Sequence, residues 1–132
     1  MNSIQIADET FVCADPADIG AAVADQASWR RWWPDLALTV VEDRGPAGQR
    51  WTVGGALTGT MEVWLEPVMD GAVLHYFLHA EPTGVPADQV ARLDLAKLNH
   101  RRRAAGKKMA FEIKDNLERH RPVGVSRLAG TA

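Results

Sequence analysis

Apolar and polar residues change rhythm several times along this chain. "IQIADETFVCA", Ile4 to Ala14, is rich in β-formers and predicts a first strand. "DPADIGAAVAD" follows, with Asp15 as an N-cap, Pro16 at the first helical position, and Ile19, Ala22 and Val23 as an apolar stripe. A short helix ending near Asp25 is expected. "ASWRRWW" predicts a second one, capped by Ser28 and stopped by Pro34. From Leu36 the signals turn to strands, and the period settles at two. "LALTVVED", "QRWTVGG", "LTGTMEVWLEP" and "AVLHYFLHAEP" read as strands, joined by "RGPAG", by Gly54-Gly55 and by "MDGA". Residues 87–120 return to helical spacing, with Leu98, Ala105, Met109, Ile113 and Leu117 near one face.

The order is β-α-α-β-β-β-β-α. An antiparallel sheet with one apolar face needs a cover, and the final helix is the only element long enough to supply it. The expected fold is α+β, a curved sheet of about five strands around a long C-terminal helix, with two short helices after the first strand. If Asp70-Gly71 form the central pair of a type I′ turn, Glu66 faces His75, Trp64 faces Phe77 and Glu62 faces His79. The opposite face then carries Leu65 with Tyr76, Val63 with Leu78 and Met61 with Ala80. A register slip of two would leave both faces unchanged.

Helix length adds a constraint. A helix from Ala87 to Arg121 would run about 50 Å, against about 36 Å for a compact domain of this size. It must break, with Asn99 or Gly106 as candidates, or overhang. An overhang bearing Val90, Leu93, Leu95 and Leu98 would invite a second copy, so a homodimer is one possible partner state.

Composition narrows the classes. The chain has 132 residues, 46% hydrophobic and 24% charged, with net charge −2. It has no apolar run long enough to span a membrane and no secretory pattern at its start. Cys13 is the sole cysteine, which excludes an intrachain disulfide and a cysteine zinc cluster. A cytoplasmic protein without cofactor is expected, with one domain over 1–121 and a flexible tail over 122–132. Charge is unevenly spread: residues 1–85 hold twelve acidic and four basic residues, residues 86–132 five and eleven. The acidic body should attract the basic C-terminal element. "RRRAAGKK" (101–108) is densely basic, yet the acidic body and the lack of interleaved aromatics argue against nucleic acid.

The segments "FVCADPADIGAAVADQASWRRWWPDL" and "LTGTMEVWLEPVMDGAVLHYFL", followed by an amphipathic helix, resemble the START/Bet v 1-like (SRPBCC) superfamily, bacterial polyketide cyclase/dehydrase and lipid transport branch. Asp25, Trp29, Trp33 and Pro34 stand where that family turns into its second strand. The resemblance implies a helix-grip fold, usually of seven strands, with a cavity between sheet and helix. The smaller strand count here implies a smaller cavity.

Candidate chemistry follows from both lines. Trp29, Trp32 and Trp33, at i, i+3 and i+4, fall on one side of a helix and suit a packed corner. The resemblance places that corner at the cavity mouth, giving Trp33 a second role. Tyr76 lies on the apolar face, where its hydroxyl must bond a protein group or a ligand. The residues expected to border a ligand are Trp33, Trp51, Val53, Met61, Val63, Tyr76, Leu78, Met109 and Ile113. A metal at His75 and His79 fails on geometry, since four residues of strand span about 13 Å. The expected function is binding of a small hydrophobic or aromatic molecule, lipid- or polyketide-like. The alternatives are a polyketide cyclase/dehydratase-like enzyme, with Tyr76 as its proton-handling group, and a dimerising interaction module.

Overall fold

The computed structural model describes residues 2–119, so the tail expected over 122–132 lies outside the described residues. Strand β1 (Ile4–Val12) alternates as its sequence dictates, with Ile4, Ile6 and Val12 buried and Gln5, Ala7 and Glu9 exposed. Helix α1 (Pro16–Val23) starts at Asp15, whose carboxylate accepts the Ala17 N–H at 2.9 Å. Helix α2 (Gln26–Trp32) starts earlier than expected. Asp25, not Ser28, is its N-cap, and the Ser28 hydroxyl donates to the Asp25 carboxylate at 2.8 Å. Ser28 is buried inside the helix, so its hydroxyl is better satisfied by that carboxylate than by free backbone.

Strands β2 (Leu36–Asp43), β3 (Gly48–Gly55), β4 (Leu57–Val68) and β5 (Gly71–Pro82) complete one antiparallel sheet in the order β1-β5-β4-β3-β2. Its inner face is built in rows across the strands. Ile6, Leu78, Met61, Trp51 and Val40 form one row, and Ile4, Ala80, Gly59, Val53 and Leu38 the next. The apolar and polar faces of the β4–β5 hairpin divide as expected. The turn does not.

Val68 pairs with Gly71, so Met69 and Asp70 are the central turn residues and the register slips by two. Trp64 therefore faces His75, and Glu62 faces Phe77. The cause is close packing at Gly71. A Cβ there would lie 2.1 Å from the Val12 carbonyl, so this glycine is needed in the sheet. Met69 takes the left-handed turn position in its place, at φ 53°.

The C-terminal helix breaks at neither Asn99 nor Gly106. A short helix α3 (Ala87–Val90) ends, and α4 (Leu95–Glu118) restarts behind Asp94, whose carboxylate accepts the Lys97 N–H at 3.0 Å. At 24 residues, α4 spans about 36 Å, the width of the domain. Of the two alternatives the break is what occurs, and Val90, Leu93, Leu95 and Leu98 are half-buried. Asn99 bonds instead to the free edge of β1. It accepts the Gln5 N–H and donates to the Ser3 carbonyl, both at 3.0 Å. Gly106 faces the Tyr76 ring, where a Cβ would come within 2.5 Å of a ring carbon.

Candidate functional site

Helix α2 ends at Trp32, and Pro34 forbids its continuation. Trp33 leaves the helix at φ −133°, ψ 69°, and its ring turns into the core. The corner tryptophans then separate into two kinds. Trp29 donates its indole N–H to the Val23 carbonyl at 2.7 Å, and Trp32 donates to the Glu112 carboxylate on α4. Trp33 and Trp51 are 2% and 1% exposed; neither indole N–H makes a hydrogen bond of good geometry among the described residues, the Trp33 N–H lying toward the Tyr76 hydroxyl without closing on it. The Gln49 side-chain oxygen, also buried, has none either. A buried polar group left unpaired costs about 1–3 kcal/mol, and all three of these lie on or beside strand β3 and the α2 corner.

The rings are in mutual contact. Trp33 stacks on Tyr76 with centroids 6.0 Å apart, and lies 6.1 Å from Trp51, which meets Trp29 edge-on at 5.6 Å. The Tyr76 hydroxyl donates to the Met61 sulfur at 3.2 Å, a weak acceptor. Burial pushes the Tyr76 pKa well above its ordinary value. The neighbouring Trp33 indole and the Arg102 charge pull the other way, less strongly. At neutral pH the hydroxyl is a hydrogen-bond donor.

All nine residues expected at the site meet in this one interior. Trp33, Trp51, Val53, Met61, Val63, Tyr76 and Leu78 come from the α2 corner and the sheet, Met109 and Ile113 from α4, and none is more than 4% exposed. Sequence reasoning missed Gln49, although it shares strand parity with Trp51 and Val53 and so points to the same face. It also missed the role of β2. Between α2 and β2 runs an open cleft of about 470 Å³, lined by Trp29, Arg30, Trp33, Leu36, Leu38 and Val40 among others. Trp33 thus belongs to both the core and the cleft. This is the size range of small-molecule sites.

The remaining polar groups have structural work. On the outer sheet face His75 stacks on Trp64 at 4.6 Å and bonds to Glu66 at 3.0 Å. Among the described residues no cluster of three or more metal-ligating side chains forms. The basic helix is tied to the acidic body. Arg102 grips both oxygens of Asp35 at 2.8 and 2.6 Å, and Lys107 reaches Asp8 at 3.1 Å. The Arg102 guanidinium holds the Asp35 carboxyl below its usual range. No described helix is long and apolar enough to cross a membrane.

No protein-family model and no curated protein matches the chain. Solved structures do. The Aha1 dimer from Colwellia psychrerythraea aligns with a TM-score of 0.60 at 15% identity, over 90% of this chain and 99% of that one. The polyketide-cyclase-like protein Cgl2372 from Corynebacterium glutamicum gives 0.58 at 17% identity, over 92% and 97%. The chain has the START/Bet v 1-like, or SRPBCC, helix-grip fold. The di-domain aromatase/cyclase StfQ of the steffimycin pathway shares this helix-grip fold, with a TM-score of 0.54 at 17% identity. That match covers 88% of this chain and 51% of StfQ. Identities this low establish the architecture. Within it, the present sheet has five strands.

Proposed function

We propose that this helix-grip domain binds a small aromatic molecule bearing a hydrogen-bond-accepting oxygen, polyketide-like and not a bare lipid chain. The ligand enters from the α2–β2 cleft and lies against Trp33 and Trp51. One observation carries the reading: two buried indole N–H groups that make no well-formed hydrogen bond among the described residues, packed together beside an open cleft that Trp33 itself lines. A ligand oxygen would recover the cost of leaving those donors unpaired, and flat rings suit the aromatic surroundings better than flexible chains do. The Tyr76 hydroxyl, kept protonated by burial, adds a third donor in the same interior. Among the fold neighbours, Cgl2372 is named for its likeness to polyketide cyclases and StfQ is an aromatase/cyclase, which agrees with an oxygenated aromatic ligand.

The test is a tryptophan-fluorescence titration with 1,8-dihydroxyanthraquinone, set beside anthracene of similar shape and no oxygen. Saturable quenching by the quinone is expected, with anthracene at least tenfold weaker, about the 1.4 kcal/mol of one hydrogen bond. Trp33→Phe should remove most of that preference. Equal responses to the two compounds, or none to either, would overturn the proposal.

A further inference from the structure

The two edges of the sheet are treated differently. The β1 edge is covered by side chains of α4. Asn99 takes the Gln5 N–H, Lys107 reaches the Glu9 carbonyl at 3.1 Å, Lys114 the Phe11 carbonyl at 2.9 Å, and Glu118 accepts the Cys13 N–H at 2.7 Å. The β2 edge has no such cover. Among the described residues no side chain bonds to the backbone of Leu36–Val40, whose pairing is with β3 alone. Val40 and Val41 are 39% and 57% exposed, and Leu36 and Leu38 half-buried, along the open side of the cleft. An uncovered apolar edge is a template for another strand. Natural sheets usually blunt such an edge with charge or proline; here the stretch Leu36–Val40 holds neither, and the bulge comes only after it, between Val40 and Glu42.

We infer that β2 pairs antiparallel with β2 of a second copy of this chain, joining two sheets across a two-fold axis and closing the open side of each cleft. Three features select a second copy as the occupant. An antiparallel edge is its own complement, so a two-fold arrangement satisfies both strands with a single contact. Centred on Leu38, the regular stretch Leu36–Val40 pairs wholly with itself, and the bulge lies just beyond. That centring also sets Asp35 opposite Val41, and Glu42 opposite Pro34, so no like charges face each other. Charge complements the strand contact. Arg30 lines the cleft and makes no ion pair among the described residues. Of the two acids that end the strand the other copy would bring alongside, Glu42 is held by Arg44 and Arg50 of its own chain. Asp43, without an ion pair among the described residues, supplies the complementary charge. The α4 face takes no part, in contrast to the overhang contact expected from the sequence.

The pairing stands on the edge alone and is measured without ligand, so its failure is separate from failure of the binding proposal. Sedimentation velocity of the whole chain from about 2 to 200 µM should show a mass rising from 14.5 kDa toward twice that value. Val40→Lys should raise the dimer dissociation constant at least tenfold, whereas Lys108→Glu on the outer face of α4 should not. Circular dichroism checks that both variants fold. If Val40→Lys does not, a cross-link decides. Thr39→Cys in a Cys13→Ser background should form a covalent dimer with a short bismaleimide, and Thr58→Cys in that background should not. A monomer across the whole range overturns the inference. So does a dimer that fails to cross-link through residue 39.

Discussion

Tyr76 and Met61 show how one residue pair can reveal what an interior is for. A hydroxyl buried to 2% exposure normally finds a backbone carbonyl, yet here its partner is a thioether. Met61→Leu removes the acceptor at nearly constant volume and leaves the hydroxyl unpaired, so it should cost about 1–3 kcal/mol of unfolding free energy. Tyr76→Phe in the same background should recover part of that loss, because the unpaired donor goes with it. Urea unfolding of the two single variants and the double variant measures the coupling; additive losses would mean that the sulfur contact is incidental. The sequence made the location of these residues legible, since parity alone puts Met61, Val63, Tyr76 and Leu78 on one face. It could not show which indole donors are satisfied. Trp29, Trp32 and Trp33 look equivalent in "SWRRWWP", and only the break at Trp33 sends one ring inward while its neighbours find Val23 and Glu112.

Among elements, α4 is both lid and edge guard, and its link to the corner after α2 runs through Arg102 and Asp35. Asp35 has a lowered folded-state pKa, so the pair stabilises the fold above the ordinary value of 3.8 and the contribution is lost as pH falls through the folded value. The Asp35 side chain is 44% exposed, and solvent screening keeps the effect under about 1 kcal/mol. Arg102→Ala should therefore lower the urea midpoint slightly at pH 7, and the difference from the parent should vanish in acid below the ordinary carboxyl range. A difference that persists there would assign it to lost packing of the arginine stem. Element order and faces were readable from periodicity; element ends were not. Asp70-Gly71 looked like a turn because the contact that occupies Gly71 is made with Val12, far away in sequence. The helix restart at Asp94 carried a local signal in "LDLAK", an aspartate ahead of an apolar position, but Gly106 and Asn99 drew attention as the more familiar breakers.

At the scale of the whole molecule, the basic helix is tied to the acidic body by partly exposed ion pairs, Arg102 with Asp35 and Lys107 with Asp8, as the charge split along the chain implied. The five-stranded sheet encloses an apolar core, and one of the open clefts at its surface, at the β2 edge, is lined by the core residue Trp33. In the proposed binding mode a ligand meets Trp33 at that cleft, and a second copy paired at β2 would wall the entrance. The sequence anticipated the five-strand count itself. The cleft escaped notice because it depends on how far α4 sits toward β1, which no local pattern encodes.

The most direct measurement is a ¹H–¹⁵N correlation spectrum of the indole N–H groups, assigned by Trp→Phe substitution and recorded with and without 1,8-dihydroxyanthraquinone. The Trp33 and Trp51 resonances should shift downfield on binding as their N–H groups gain an acceptor, while those of Trp29 and Trp32, already bonded to Val23 and Glu112, hold their positions. Unmoved Trp33 and Trp51 resonances in a sample that has bound the quinone would contradict the proposed site.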